Sequence, residues 1–373
     1  MDKSFIYGKS VEGEHFTDRV KETARLKSAF ESGMNTIIIS PRRMGKTSLV
    51  KKVQASITDP VIKVVYMDIY DCRSEYDFLN RFASVLMKEV AGRTDKIVET
   101  LKEFLIHVVP KISFSPEPMS DFSLSLNITP KTYSPEQILN LPEEIAKKRG
   151  IHVIVCIDEF QQVGEFPDSI IVQKRMRGVW QHHQHASYCM FGSKKHMMMN
   201  IFQNKRMPFY QFGDTTYLKK IPREDWIPFI VERFAKSGKT ISEEFAGRIC
   251  DAVDCCSSYV QQLSADVLLE TDAEVDEQSF NEGLTTLIDQ NSELFTSQTM
   301  GLTSYQMNFL RALCNGIHSD FTSKEITRQY DFGTKSNLTR IKTSLSEKEL
   351  IEVREKQVFI ADPVFELWFK RRC

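Results

Sequence analysis

The chain has 373 residues, 41% of them hydrophobic and 27% charged, with 49 basic against 50 acidic side chains. This is the profile of a globular protein of two or three domains, not a disordered or fibrous one, and a net charge of −1 excludes a polycation drawn as a whole to nucleic acid. No apolar run approaches the roughly 18 to 20 residues a bilayer span needs, and the opening "MDKSFIYGKSVEGEHF" lacks the apolar stretch of a signal peptide, so the expectation is a cytoplasmic protein without a membrane partner.

In chain order, the first two-thirds alternate strands and helices, the pattern of a largely parallel, doubly wound sheet. Strands are predicted at Asn35 to Ser40, Ile62 to Asp68, His152 to Asp158, Ser187 to Phe191 and Thr215 to Leu218, with helices at Lys46 to Ser56, Glu75 to Val90 and Pro135 to Arg149. "KISFSPEPMSDFSLSLNITP" breaks the alternation. Its period of two around a Pro-rich turn predicts a β-hairpin over Ile112 to Ile128.

From Pro222 the strands stop, and the spacing is helical to about Thr299. The remaining residues predict a helix from Ser304 to Gly316, a second opened by a capping box from Thr322 to Glu325, and a third after Gly333. Two short strands, "LIEV" and "QVFIA", follow around the charged turn "REK", then a helix entered by Asp362 and Pro363. Three helices and a two-stranded wing make a winged helix. The predicted domains are therefore 1–221, an α/β core with an insertion at about 110–130; 222–299, a helical segment; and 300–373, the winged helix. Charge supports the last boundary. Ile241 to Glu293 carries thirteen acids and one base, Arg248, whereas Leu302 to Cys373 carries twelve bases and nine acids.

"SPRRMGKTSLV" holds the strongest chemical signal. It follows a β-branched strand and opens a helix, and it matches the phosphate-binding pattern Gly-x4-Gly-Lys-Ser/Thr with Ser40 in place of the first glycine. Gly45 lets successive amides and the helix start face phosphate oxygens; Lys46 supplies a cation to the β and γ phosphates; the Thr47 hydroxyl is a ligand type for Mg²⁺. A second Gly-Lys-Thr, Gly238 to Thr240, follows a helix and reads as a helix cap. "HVIVCIDEF" offers the carboxylate partner at the end of a strand expected to neighbour the loop's own, with Asp158 in the metal shell and Glu159 as general base. A helix N-cap is the competing reading of that pair.

Ser193, ending the fourth strand, is a candidate nucleotide-sensing hydroxyl or a plain turn residue. Arg42 and Arg43 lie in the loop, and Arg206 precedes the fifth strand, from where a neighbouring subunit is within reach; a solvated surface arginine is the alternative. His182, His183 and His185, on the helix before a strand, read as surface or half-buried polar residues, not metal ligands. The run Met197 to Met199 reads as packing. Cysteines lack Cys-x-x-Cys spacing; adjacent Cys255 and Cys256 admit a redox reading, but two helix residues with inert thiols are the plainer one.

The ordered segments "FTDRVKETARL", "SPRRMGKTSLV", "VCIDEFQQV", "FGSKKHMM" and "DPVFELWF" closely resemble the archaeal-type ATPases of the AAA+ and STAND assemblage. The resemblance runs through nearly the whole chain. It implies an AAA+-like core, a helical lid and a terminal winged helix, with ATP and Mg²⁺ as ligands. On this sequence it implies a nucleotide loop of Pro41, Arg42, Arg43, Met44, Gly45, Lys46, Thr47 and Ser48, a metal carboxylate at Asp158, a catalytic acid at Glu159, and Phe16 and Arg19 near the adenine. One departure is Ser257 and Ser258, standing where the family commonly has a lid proline near the nucleotide.

Two functions compete. One is a Mg²⁺-dependent ATPase that passes its nucleotide state through the lid to the winged helix, with a client protein or a second copy of the chain as partner. The other is an ATP-gated regulator of double-stranded DNA with slow, incidental hydrolysis, supported by Lys335, Arg340 and Lys342 in the acid-free "TKSNLTRIKTSL". A degenerate nucleotide-binding scaffold is a third reading, and intact Lys46, Thr47, Asp158 and Glu159 argue against it.

Overall fold

The computed structural model describes residues 4–91 and 134–372, and the hairpin expected at Ile112 to Ile128 lies outside them. The chain forms two compact units, residues 10–219 and residues 1–9 with 220–373.

The first unit is built on a parallel sheet of β1 (Thr36–Ile39), β2 (Ile62–Asp68), β3 (His152–Asp158), β4 (Ala186–Gly192) and β5 (Asp214–Tyr217), in the order β2-β3-β4-β1-β5. The sequence reading expected the loop strand β1 and the carboxylate strand β3 to be neighbours; they are not, because β4 runs between them. The central strands β1, β3 and β4 are buried on both faces, which is why β1 and β3 read as unbroken apolar runs, whereas the edge strand β5 is half-exposed. Ile37, Val65, Val155 and Tyr188 point to one face, into a core shared with Phe78, Phe82 and Trp180, where the Trp180 ring stacks on Tyr188 at 4.3 Å.

Helices α1 (Val20–Glu31), α2 (Lys46–Ser56) and α3 (Glu75–Ala91) accompany the first strands. The single helix expected at Pro135 to Arg149 is two, α4 (Pro135–Leu139) and α5 (Leu141–Arg149), joined at Asn140. Pro142 causes the break, since it has no N–H to donate and its ring crowds the carbonyl four residues back. Next come α6 (Ser169–Trp180) and α7 (Lys195–Gln203).

The second unit contains α8 (Arg223–Lys236), α9 (Glu243–Ala252), α10 (Ser257–Glu270), α11 (Glu277–Gln290) and α12 (Ser292–Met300). The winged helix follows as α13 (Ser304–Cys314), α14 (Lys324–Tyr330), α15 (Lys335–Glu347), β6 (Ile351–Arg354), β7 (Gln357–Ile360) and α16 (Pro363–Arg372). The wing turn uses Glu355 and Lys356 in left-handed conformation, as a two-residue hairpin turn requires. The cap of α14 is Ser323, accepting from the Ile326 amide at 3.2 Å, not Thr322, so Glu325 falls one position too early to close the expected box. Asp362 caps α16 by accepting from the Val364 and Phe365 amides at 2.9 and 3.1 Å.

Helical segment and winged helix pack as one body. Tyr259 on α10 donates to Asp362 at 2.7 Å, the Trp368 indole to Ser292 at 3.0 Å, and the Phe295 ring meets Phe365 edge-on at 5.4 Å. Residues 4–9 belong to this body as well, with Phe5 buried against Phe229 and Phe234. Among the described residues no helix is long and apolar enough to cross a membrane.

Candidate active site

The loop between β1 and α2 turns through Arg43 and Gly45, at φ of 66° and 83°, and so brings the first amides of α2 to the carboxyl edge of the sheet. Lys46 is buried, and its ammonium donates to the Pro41 carbonyl at 3.0 Å and to the Ser40 carbonyl and hydroxyl at 3.3 Å. Ser40 therefore fills the place of the missing glycine and adds a side-chain acceptor for the lysine. Met44 is buried beneath the loop, Arg42 and Arg43 are exposed, and Pro41 is half-buried.

Although β4 intervenes, the loop and β3 meet directly: the Thr47 hydroxyl donates to Asp158 Oδ2 at 2.7 Å. The same oxygen accepts from the Tyr66 hydroxyl at 2.9 Å, while Oδ1 accepts from the Glu159 amide at 2.9 Å. Burial is the main cause that raises the Asp158 carboxyl above its ordinary value; the two hydroxyl donors work against it, and Glu159 and Asp68 add repulsion. The same burial, with Asp158 adjacent, pushes the Tyr66 phenol far above its usual range and keeps it a donor.

Glu159 sits at φ 55°, an uncommon conformation for a residue other than glycine, between β3 and a 3-10 turn over Phe160–Glu165. Its Oε2 accepts from the Ser193 hydroxyl at 2.9 Å and from the Gln161 amide. The predicted sensor hydroxyl thus reaches the predicted catalytic acid from the tip of the neighbouring strand β4. A Cβ at Gly192 would overlap the Gln161 amide oxygen, so that glycine is what lets Gln161 in.

Arg19 is buried, N-caps α1 at φ 62°, and spends two nitrogens on backbone: the Lys219 carbonyl at 2.5 Å and the Met44 carbonyl at 3.0 Å. Ser48 Oγ accepts from the Val11 amide at 2.9 Å. The Phe16 ring lies 3.9 Å below the Lys52 ammonium. Arg206 is exposed in a turn whose amide is taken by Asn204 Oδ1 at 3.1 Å.

Sequence reasoning missed Tyr66 and Gln161. Tyr66 stands two residues before the register partner of Asp158, on the facing strand, so its signal was a polar side chain at matched depth in an otherwise apolar run. Gln161 is marked only by lying two residues past Glu159. The histidines lie after the end of α6 instead of on it, and they have an acidic partner from elsewhere: Glu143 on α5 accepts from the His185 ring at 3.0 Å and the His185 amide at 2.8 Å. Burial lowers His183 to about 4, and its ring joins Tyr188 at 2.9 Å and Asn140 at 3.0 Å, a structural role. Among the described residues no group of three or more His, Cys, Asp or Glu is placed to hold a metal ion.

Residues 16–263 match the family model described as an ATPase domain predominantly from Archaea. The chain belongs to this ATPase family. Residues 293–371 match a further model, a probable winged helix domain. The ATPase is similar in fold to the Walker-type ATPase PABY2304 of Pyrococcus abyssi, with a TM-score of 0.72 at 15% identity, covering 98% of this chain and 99% of that one. It is also similar to the ORC2 protein of Aeropyrum pernix in its ADPNP–ADP complexes, with a TM-score of 0.58 at 13% identity over 100% and 98% of the two chains. None of the curated proteins matches the sequence. The protein is thus an ATP-binding P-loop ATPase of AAA+-like fold linked to a winged helix, as the resemblance implied.

Proposed function

We propose that this ATPase hydrolyses ATP with Glu159 as general base and passes its nucleotide state to the helical segment and winged helix as one body. The donor set fits Mg²⁺, a cation that takes hard oxygen ligands: Thr47 Oγ1 and the Asp158 carboxylate already meet at 2.7 Å, and they would hold it. Bound there, Mg²⁺ would neutralise phosphate charge. Lys46, by exchanging its carbonyl partners for phosphate oxygens, binds and orients the triphosphate. Glu159 takes the proton of the attacking water, and Ser193 and Gln161 hold its carboxylate in place until then. Arg42, Arg43 and Arg206 are exposed cations able to meet the γ-phosphate, Arg206 from a second copy.

The observation that carries the relay is where the chain passes between its two units. It does so at residues 9–10 and again at residues 219–220, and both passages are tied to the phosphate loop. Val11 bonds Ser48 at the first, and Arg19 bonds Lys219 and Met44 at the second. Movement of the loop around a triphosphate is therefore felt at both passages.

The test is phosphate release and amide exchange on one protein. Glu159→Gln is expected to keep ATP bound, to lower turnover by about 10²-fold or more, and to hold an ATP-dependent change in exchange in α10 and α15. Arg19→Ala should keep ATP but lose that change. Unchanged turnover removes Glu159 from the chemistry, and exchange indifferent to ATP removes the relay.

The DNA-regulator reading keeps one specific support. Lys335 and Arg340 are exposed on α15, and Lys335 shares with Lys324 and Arg328 a cleft of about 420 Å³ floored by Phe321, Phe332 and Leu338. Lys342 contributes less, because its ammonium lies 4.4 Å over the Phe321 ring and burial lowers its pKa. Salt-sensitive duplex binding, weakened by Lys335→Ala and Arg340→Ala, is the expected result; no retention at low salt removes this reading.

A further inference from the structure

The seven described cysteines form no disulfide, yet two pairs of them stand together and differ in access. Cys156 and Cys189 face each other across β3 and β4, fully buried, and burial pushes the Cys156 thiol well up. That pair is sealed. Cys255 and Cys256, contrary to the sequence expectation, are not helix residues: they form the turn between α9 and α10, with Cys256 buried as the cap of α10.

The partner of Cys255 is Cys250, in the last turns of α9. The Cys255 amide donates to the Cys250 carbonyl at 2.8 Å, a bond spanning six residues that ends the helix and brings its first and last residues together. Asp254 and Cys255, at φ 47° and 51°, supply the left-handed turn this closure needs. Interaction with the Cys250 thiol is the main cause that lowers the Cys255 pKa; burial and the neighbouring Asp254 and Asp251 carboxylates oppose it, and Lys220 assists. Cys250 is buried and Cys255 is half-exposed.

We infer that Cys250 and Cys255 are a modification site, a dithiol that hydrogen peroxide converts reversibly to a disulfide across the turn between α9 and α10. The half-exposed Cys255 thiolate attacks one peroxide oxygen; the O–O bond breaks, water leaves after taking up a proton, and Cys255 becomes a sulfenic acid. The Cys250 sulfur then attacks the Cys255 sulfur, the S–O bond breaks, and a second water carries off the hydroxyl with the Cys250 proton. The two sulfurs together lose two electrons and the peroxide gains them. The loop so closed is short, so the bond gains little from chain entropy and is readily reduced by a dithiol.

The test treats the full chain with hydrogen peroxide, alkylates the remaining thiols, and cleaves before aspartate. Cleavage before Asp251 and Asp254 leaves Cys250 on one fragment and Cys255 with Cys256 on another. A link between those fragments is expected, lost on treatment with a dithiol and retained in Cys256→Ser. Cys250→Ser should stop at a sulfenic acid on Cys255 that a 1,3-diketone captures, and Cys255→Ser should abolish both products. A link between Cys255 and Cys256 overturns the inference. So does full alkylation of Cys250 and Cys255 after peroxide in a protein with native circular dichroism, or oxidation of Cys156 and Cys189 at the same rate.

Discussion

The chain contains Gly-Lys-Thr twice, and the two copies turn the same letters to opposite uses. Gly45 and Gly238 are both left-handed, at φ 83° and 73°. Gly45 precedes a helix, so the groups left unpaired around it are amides, and an anion is wanted. Gly238 follows α8, where the unpaired groups are carbonyls, and Lys239 answers them: its ammonium donates to the carbonyls of Leu268, at 2.9 Å, and Thr271, while its amide takes the Phe234 carbonyl at 3.1 Å. The second lysine has permanent partners. The first has the Ser40 and Pro41 carbonyls, which under the proposed function a triphosphate would replace. Chain direction past the glycine separates a binding loop from a cap.

The largest effect that sharpens this contrast is at the lysines. Lys46→Ala should lower phosphate release by about 10²- to 10³-fold, the usual loss when one preorganised cation is removed from developing charge. Lys239→Ala should leave release unchanged and cost about 1 kcal/mol of stability through the lost carbonyl bonds, read by denaturant melts. Equal effects on turnover would break the comparison.

Next is a difference in the sign of a stability effect. Asp158 faces the first copy, and burial raises its carboxyl pKa, so the folded apo-protein is penalised for ionising it. Because the folded value lies above the unfolded one, the penalty is absent below the ordinary carboxylate range and grows as pH rises through the folded value. Asp158→Asn should therefore melt higher than the parent at pH 7 without nucleotide, with the gain vanishing in acid, while its ATP turnover collapses. A lower melting temperature at pH 7 would show that the Thr47 and Tyr66 bonds outweigh the desolvation.

Smaller again is the pair Gly45→Ala and Gly238→Ala. A Cβ meets nothing within 4 Å at either position, so both changes cost only the left-handed strain, about 1 kcal/mol. Stability should fall alike. Only Gly45→Ala should weaken ATP, as titrated by calorimetry, since its methyl group enters the loop that receives phosphate.

Much of this was legible before any coordinates. The strands β2 and β3 and the helix α2 fall on the residues their apolar runs and the loop motif mark, because both signals are local. Lys46, Thr47, Asp158 and Glu159 stand out as candidates for the same reason, and the fold brings Thr47 and Asp158 together. Less legible was whatever depends on strand order. Nothing in "HVIVCIDEF" tells that β4 lies between β3 and β1, hence nothing tells that Ser193, at the end of β4, stands beside Glu159 at the end of β3. Arg19 stood within a segment whose likeness suggested adenine, and its use as a brace on Met44 and Lys219 needs the fold that brings residue 219 back to the loop. Short-range capping also misled, by one residue at Ser323 and by the Pro142 break.

The smallest effect concerns Tyr66, which reaches the first copy's carboxylate from β2 and has no counterpart at the second. Asp158 Oδ2 accepts from both Thr47 and Tyr66, so were Thr47 to turn its oxygen to a cation, Tyr66 would be the bond left on that oxygen, with the Glu159 amide on the other. Tyr66→Phe keeps the ring and its packing near Phe191, at 6.3 Å between centroids, and removes only the hydroxyl. A hydrogen bond to a charged group is worth about 1.5 kcal/mol at the low end, so the Mg²⁺ concentration giving half-maximal turnover should rise by about tenfold, with the rate at saturating Mg²⁺ nearly unchanged. A purely structural tyrosine would behave differently, lowering the melting temperature and leaving the Mg²⁺ midpoint where it was.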